Sequence, residues 1–303
     1  MLNKQQAEES VQPDKEDYLW HFTPTPEALF SILKNGVRTT HSSCLSDKMD
    51  CLLRNEIRTI YVDLINTKRS KAGKSSYLEP EEEMLRSVFE QDLFHPAFVS
   101  CYLQKLDDAF DAAWDQYTPA GGFGIGIKRE FVEKLKNQRI DGCSIHADVC
   151  KYTFEEQRKQ VETTINDILS ETTEVRTIEE AEALCRKHIA AIEKLTNKLL
   201  FVKRSTFSWE KEYRIAYVFN ERLPSDKLQV QHGKLFFSPP YLEDTKDWVC
   251  QILISPYGDS EGNLRIARLF AQSFNIPIDN VKAQQLPSIV HAMAKPSKPT
   301  VSI

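Results

Sequence analysis

The stretch Lys203-Arg-Ser-Thr-Phe-Ser-Trp-Glu-Lys-Glu-Tyr-Arg-Ile-Ala-Tyr-Val-Phe219 decides the fold, because from Tyr213 onward its residues alternate as in a β-strand. The alternation predicts one aromatic and apolar face and one charged face. The first carries Tyr213, Ile215, Tyr217 and Phe219; the second carries Glu210, Glu212, Arg214 and Ala216, if the strand begins early enough. Two carboxylates and a guanidinium on one face fit either the wall of a site or a solvent-facing surface whose charges pair.

The composition is that of a folded protein that does not depend on disulfides. The chain has 303 residues, of which 41% are hydrophobic, and this is enough for one large domain or two small ones. A net charge of −5 argues against a dedicated binder of nucleic-acid backbones, which is usually basic. The seven cysteines are scattered and odd in number, so we expect no disulfide framework and a reducing, cytoplasmic location.

The order of segments predicts a single α+β domain over residues 17–290. A polar leader at 1–16 and a tail at 291–303 rich in proline, lysine and serine are expected to be disordered. Two charged, helix-periodic stretches between 153 and 200 predict a helical hairpin inserted between two strands, with a capping box at Thr177-Ile-Glu-Glu180. The N-terminus resembles no signal peptide, and no apolar run is long enough to span a bilayer, so no membrane partner is expected.

Turn and capping residues mark the starts and ends of the predicted elements. Thr25 and Pro26 predict the start of a helix that Asn35-Gly36 ends, and His232-Gly233 predicts the turn of a hairpin. Asp47 is a candidate N-cap, and the basic stretch 66–76 is predicted as a loop. Strands are predicted at 18–22, 37–40, 97–103, 123–127, 148–152, 228–237, 248–255 and 281–286, and helices at 27–34, 51–65, 80–94, 107–117, 129–136 and 261–274.

Two further patterns concern possible binding sites. Gly124 and Gly126 share one face of a predicted strand, so that a packed helix, a bulge or a ligand can approach its backbone closely. The segment 143–150 contains two cysteines and a histidine, but no second ligand pair follows, so no metal site is predicted there.

Several motifs together resemble a widespread bacterial family of domains of unknown function, over residues 18–288. The most specific is Trp209-Glu-Lys-Glu-Tyr-Arg214, preceded by Lys203. The others are Tyr18-Leu-Trp-His-Phe-Thr23, the segment 28–36, Leu45-Ser-Asp-Lys-Met-Asp50, Val99-Ser100, Trp114-x-x-Tyr117 and the glycine-rich segment 121–126.

That family in turn resembles the ADP-ribosyltransferases distantly, which implies a split antiparallel β-sheet core with flanking helices and three site motifs. Here His21-Phe-Thr23 would be the first motif, Ser100 the second and Glu210-Lys-Glu212 the third. Val99-Ser-Cys101 lacks the fuller Ser-Thr-Ser pattern, and Tyr102 or Tyr117 could take its place. The resemblance implies an enzyme that uses NAD as substrate and modifies a protein or nucleic acid, of the kind found among bacterial toxins and defence factors.

The resemblance also assigns roles to individual residues. Glu212 would stabilise the positive charge that builds on the ribose when the nicotinamide bond breaks, and Glu210 would activate the acceptor as a general base. His21, supported by Thr23, would hydrogen-bond the adenosine ribose, and Lys203 or Arg214 would contact the pyrophosphate. Tyr18 and Ser100 complete the NAD-binding set that the motifs imply.

Two other functions remain open from the sequence. The first is a non-catalytic module that senses a nucleotide or binds a partner protein, with the insertion at 153–200 as its docking surface. The second is a nucleic-acid-processing enzyme in which Glu210, Glu212 and Asp47 hold Mg²⁺. Taken alone, His21 also fits a buried histidine whose hydrogen bonds are made within the core. Trp114 and Tyr117 fit either core packing or a stacking platform.

Overall fold

The computed structural model describes residues 18–45, 54–71, 97–104, 109–136, 138–140, 142–169, 186–187, 194–219, 223, 225–239 and 244–284. The predicted leader, the helix predicted at 80–94, the tail and Asp47 lie outside these residues.

The strands form one sheet in which every pairing is antiparallel except that of the last two strands. Short helices and connections join them, so the predicted α+β class is confirmed. The strands are β1 (Tyr18–Thr23), β2 (Thr39–His41), β3 (Ala97–Leu103), β4 (Phe123–Lys128), β5 (Arg139–Ile140), β6 (Cys143–Val149), β7 (Glu212–Phe219), β8 (Leu228–Gln231), β9 (Lys234–Phe237), β10 (Val249–Ile254) and β11 (Val281–Ala283).

Helices cover both faces of this sheet. They are α1 (Pro26–Asn35), α2 (Arg54–Lys71), α3 (Ala109–Tyr117), α4 (Arg129–Leu135), α5 (Phe154–Leu169), α6 (Thr245–Trp248) and α7 (Ser260–Ser273), with a further helical stretch at 194–199. The Thr25 side chain caps α1 by accepting a hydrogen bond from the backbone of Ala28, and Gly36 ends the helix with a positive φ, as predicted.

Strand β3 is the branch point of the sheet. One edge of β3 pairs with β7 along all seven of its residues. Its other edge is shared: β2 pairs with Phe98 and Val99 at one end, and β1 pairs only through Trp20 and Leu103 at the other. β1 pairs with β4 over its whole length but with β3 through a single residue pair, so β1 and β3 diverge. We call the opening between them the fork.

Strand β7 is buried on both faces, so its charges do not form a solvent-facing surface. Tyr213, Ile215 and Tyr217 belong to the main apolar core on one face. Ala216 and Val218, on the other face, pack in a second cluster with Leu200 and Phe201. Any charge on this second face is therefore enclosed, and burial of a charge requires an internal partner.

The predicted insertion shares an apolar cluster with α2. Its first predicted helix is α5, and part of its second is the helical stretch 194–199. The cluster consists of Ile57, Ile60, Tyr61, Leu64, Ile65, Val161, Leu195 and Leu199. Helix α2 continues to Lys71, so the prediction of a loop from residue 66 is wrong over residues 66–71. The strand predicted at 148–152 is also misplaced, since β6 runs from Cys143 to Val149.

Candidate active site in the fork of the sheet

A buried lysine holds two carboxylates together at the start of β7. The Nζ atom of Lys203 lies 2.5 Å from Oε2 of Glu210 and 2.6 Å from Oε2 of Glu212. Exposure is 6% for Lys203, 5% for Glu210 and 2% for Glu212, so water screens these contacts little. The residues of the third predicted motif thus converge on one ammonium group.

The backbone brings Glu210 to this position through a turn rather than through the strand. Ser205–Glu210 form a 3₁₀ turn, and β7 begins only at Glu212. Between them Lys211 adopts a left-handed conformation with φ 41° and ψ 48°, and its carbonyl accepts a hydrogen bond from Gln104. The prediction that Glu210 belongs to the same strand face as Glu212 is therefore wrong, although the two carboxylates do meet.

Arg214 fixes the other side of Glu212. Its Nε donates to Oε1 at 2.7 Å and its Nη2 contacts Oε2 at 3.4 Å. The guanidinium is fully buried, and its Nη1 donates to the carbonyl of Leu200 at 2.9 Å. The backbone N–H of Glu212 donates to the hydroxyl of Tyr152. These contacts hold the Glu212 carboxylate in one orientation.

The pKa values of the two glutamates are shifted in opposite directions. Burial by itself would raise the pKa of Glu212, but Arg214 and Lys203 outweigh this effect and hold that pKa at about 2. For Glu210, burial raises the pKa above its ordinary value, and the attraction of Lys203 offsets this only in part. Glu212 is therefore ionised at any physiological pH, whereas Glu210 accepts a proton more readily.

A pocket with a volume of about 140 Å³ opens beside these carboxylates, in the fork. We call it the fork pocket. It is lined by Trp20, His21, Phe22, Leu45, Cys101, Tyr102, Leu103, Tyr117, Lys203, Glu210 and Glu212. Both predicted catalytic residues and two predicted NAD-binding residues, His21 and Lys203, therefore line one pocket, although His21 lies far from the other three in the sequence.

His21 bridges the two strands where their backbones have separated. Its Nδ1 lies 3.1 Å from the carbonyl oxygen of Cys101. A carbonyl can only accept a hydrogen bond, so Nδ1 carries the proton and Nε2 is left as an acceptor in the neutral ring. Burial lowers the pKa of His21, which favours this neutral form.

The remaining predicted residues lie around the pocket without lining it. Arg214 contacts the lining residue Glu212 but does not itself line the pocket. Thr23 is buried at the end of β1, and Tyr18 packs edge-on against Trp20. Ser100 pairs with Ile215 and so lies on the main-core face, opposite to Glu212. Its buried hydroxyl has no hydrogen-bond partner among the described residues.

Several lining residues were not assigned to the site from the sequence, among them Cys101 and Phe22. Cys101 pairs with Arg214 and therefore shares the face of Glu212; burial, followed by the charge of Glu212, raises the pKa of its thiol. Phe22 stacks on Tyr117 with ring centroids 6.1 Å apart. The sequence left open whether Tyr117 packs in the core or serves as a stacking platform. Its side chain is 39% exposed beside the pocket, which suits a stacking platform.

Tryptophan rings, and not a ligand, fill the space above the two strand glycines. A Cβ atom at Gly124 would lie 3.2 Å from the ring of Trp114, and one at Gly126 would lie 3.1 Å from the ring of Trp20. Trp114 comes from α3, so the packed-helix interpretation of this glycine face is confirmed. Close packing of Trp20 in turn fixes one wall of the fork pocket.

The ammonium of Lys203 occupies the place between the carboxylates that a cation would take. Within the described ranges, no three His, Cys, Asp or Glu side chains are grouped so that they could hold a metal ion. The magnesium hypothesis also required Asp47, which lies outside those ranges.

The comparisons with known proteins give one family. Residues 113–215, about a third of the chain, match a family described as a protein of unknown function (DUF2971). Neither the curated proteins nor the solved structures contain a match. Among the described residues, no helix has the length and apolar character needed to cross a membrane. Over residues 113–215 the chain is thus similar to a family of unknown function, as the motifs predicted.

Proposed function

We propose that the fork pocket is the active site of an NAD-using, ADP-ribosyltransferase-like enzyme that modifies a macromolecule. One observation carries the proposal: the ionised Glu212 of β7 and the neutral His21 of β1 line the same pocket in a divided antiparallel sheet. The order His21, then β3, then Glu212 along the chain agrees with the order of motifs in that enzyme class.

Glu212 is suited to the step in which the bond between nicotinamide and ribose breaks. That step transfers the bonding electrons to the departing ring and leaves positive charge on the ribose. A carboxylate that is ionised, buried and held by Arg214 and Lys203 needs little reorganisation to stabilise such a charge. This preorganisation is the main catalytic contribution that we assign to the chain.

Glu210 is suited to the acceptor step. The attacking group of the acceptor forms a bond to the ribose carbon and must lose a proton. Because burial raises the pKa of Glu210, its carboxylate is a better proton acceptor than the neighbouring Glu212. Lys203 contacts both carboxylates and can keep its contact with Glu212 when Glu210 takes up the proton.

The size of the pocket limits what it can hold. Pockets that enclose a whole drug-sized ligand measure about 300–1,000 Å³, and the fork pocket measures about 140 Å³. It therefore suits one end of a dinucleotide, such as the nicotinamide and its ribose. The stacked rings of Phe22 and Tyr117 give a flat wall for that ring, and Nε2 of His21 can accept a hydrogen bond from a ribose hydroxyl.

The proposal is tested by label transfer. Purified protein is incubated with NAD labelled in the adenosine half and with cell lysate, and the macromolecules are separated and counted. We expect label on a protein or nucleic acid, with at least about 100-fold less after Glu212→Gln and no change after Glu261→Gln. Glu261 is a suitable control because its side chain is 77% exposed. Absence of transfer by the unaltered protein would contradict the proposal.

One observation favours the alternative of a nucleotide-sensing module without catalysis. Lys203 satisfies both carboxylates at 2.6 Å or less, so neither is left free in the pocket. Such a module would bind NAD or ADP-ribose without releasing nicotinamide. Calorimetric binding combined with an absence of turnover would select this alternative.

A further inference from the structure

A second pocket lies between the end of β6, α5 and the helical stretch 194–199. Its volume is about 390 Å³, and it shares no lining residue with the fork pocket. We call it the lysine pocket, because Lys151, Lys159 and Lys198 line it.

Two of these three lysines have no acidic partner in the part of the chain that the structure describes. Lys151 lies 3.7 Å from Asp148, but no ion pair joins Lys159 or Lys198 to a described carboxylate. Burial, followed by the positive charge of Lys198, lowers the pKa of nearby His146.

The acidic residues of the pocket are engaged by the backbone. Oε2 of Glu156 accepts hydrogen bonds at 2.9 Å from the N–H groups of both Tyr152 and Thr153. Oδ1 of Asp148 accepts from the N–H of Val149 at 2.8 Å. The three lysines and two acids that line the pocket give it a formal charge of +1. The two carboxylates accept hydrogen bonds from backbone N–H groups and form no ion pair with Lys159 or Lys198 among the described residues.

The wall of the pocket also contains a buried amide donor. Nε2 of Gln160 is inaccessible to water and has no hydrogen-bond partner among the described residues. Because water does not reach this atom, it is not exposed to the pocket, and the accessible donors of the site are the lysine ammonium groups. Gln160 and Lys159 are neighbours in α5, whereas Lys198 belongs to the facing helical stretch.

We propose that the lysine pocket binds a small phosphate-bearing ligand of about nucleotide size. Lys159 and Lys198 lie on two facing elements and have no ion-pair partner among the described residues, and the oxygens of a phosphate can accept hydrogen bonds from both ammonium groups. A volume near 390 Å³ lies in the range of small-molecule sites. A concave site on a chain of net charge −5 fits a small anion better than a nucleic-acid backbone.

Calorimetric titration of the full chain with inorganic pyrophosphate and with ADP tests this assignment. The double variant Lys159→Gln/Lys198→Gln is expected to raise both dissociation constants at least about 10-fold, because two charge-assisted contacts are lost. Lys194→Gln is the matched control: Lys194 is exposed on the same helical stretch and does not line the pocket. We expect it to change binding less than about 2-fold.

Three results would overturn the assignment. The first is that neither probe binds the unaltered protein at millimolar concentration. The second is that both probes bind the double variant and Lys194→Gln equally, which would indicate a general charge effect. The third is binding of a single-stranded oligonucleotide without binding of pyrophosphate or ADP, which would assign the lysines to a nucleic-acid surface instead. Far-ultraviolet circular dichroism establishes beforehand that each variant is folded.

Discussion

The imidazole of His21 donates a hydrogen bond to the carbonyl of Cys101, across the gap at which β1 leaves β3. Only Trp20 and Leu103 pair the two strand backbones directly. A side chain thus takes over from backbone pairing at the place where the fork opens. The same ring lines the pocket, so one residue serves both the structure of the fork and the proposed recognition of ribose.

Replacement of His21 by Phe is expected to loosen the fork while preserving the bulk of the side chain. Loss of the hydrogen bond should lower the free energy of unfolding by about 1 kcal/mol. Hydrogen exchange should increase at the amides of Tyr102 and Leu103, which flank the opening. His41→Phe is the control, because His41 is half-buried and bonds only locally to Ser43. Equal exchange in the two variants would exclude a bridging role for His21.

Removal of the ammonium at position 203 should be strongly destabilising. In Lys203→Met, Glu210 and Glu212 face one another in a buried site without the cation between them. Loss of one partner of a buried ion pair costs about 3–5 kcal/mol, which urea denaturation measures directly.

The control for this change is Lys136→Met. Lys136 pairs with Glu133 at 3.8 Å, but both side chains are more than a third exposed. Exposed pairs contribute at most about 1 kcal/mol. Similar losses in Lys136→Met and Lys203→Met would show that burial does not strengthen the Lys203 cluster.

The low pKa of Glu212 predicts a defined pH dependence of stability. Its pKa is about 2 in the folded protein and 4.5 as the reference value. The folded state therefore binds fewer protons between these values, and the stabilisation is complete above pH 4.5 and is lost as the pH falls towards 2. The shift corresponds to about 3 kcal/mol.

Urea denaturation between pH 2 and pH 7 tests this dependence. Glu212→Gln should flatten the rise in unfolding free energy over the acidic part of the range. Glu210 has a raised pKa and contributes in the opposite sense, since its stabilisation is present at low pH and is lost as the pH rises through the folded pKa. Glu210→Gln should therefore leave the acidic rise in place. An unchanged profile in Glu212→Gln would contradict the assignment.

The glycine face of β4 predicts a specific coupling. Gly124→Ala places a methyl group 3.2 Å from the ring of Trp114 and should destabilise the protein by about 1–3 kcal/mol. Trp114→Phe removes the part of the ring that approaches Gly124. The double variant Gly124→Ala/Trp114→Phe should therefore lose less stability than the sum of the single variants. If the losses of stability in the two single variants simply add in the double variant, positions 124 and 114 are not coupled.

The sequence correctly predicted those elements whose geometry is set by residues that are close together in the chain. Thr25, Pro26 and Gly36 placed α1, and the alternation from Tyr213 placed β7. The hairpin of β8 and β9 turns at His232 and Gly233, where both φ values are positive, as the sequence predicted.

The site could be predicted only in part, because the remaining features depend on long-range contacts. The left-handed Lys211 directs Glu210, and no residue type marks that conformation in advance. The register of β3 against β7 places Cys101 rather than Ser100 beside Glu212, and a shift of one residue would reverse this choice. Likewise, the packing of residues 57–65 of α2 against α5 joins segments that lie far apart in the sequence.

The most direct test of the central claim is the rate at which nicotinamide is released from NAD. The unaltered protein, Glu212→Gln and Glu261→Gln are compared at pH 7 in the presence of lysate, after circular dichroism has shown that all three are folded. We predict release by the unaltered protein and by Glu261→Gln, and a loss of at least about 100-fold in Glu212→Gln. Equal release by all three proteins, or none by any, would contradict a catalytic role for Glu212.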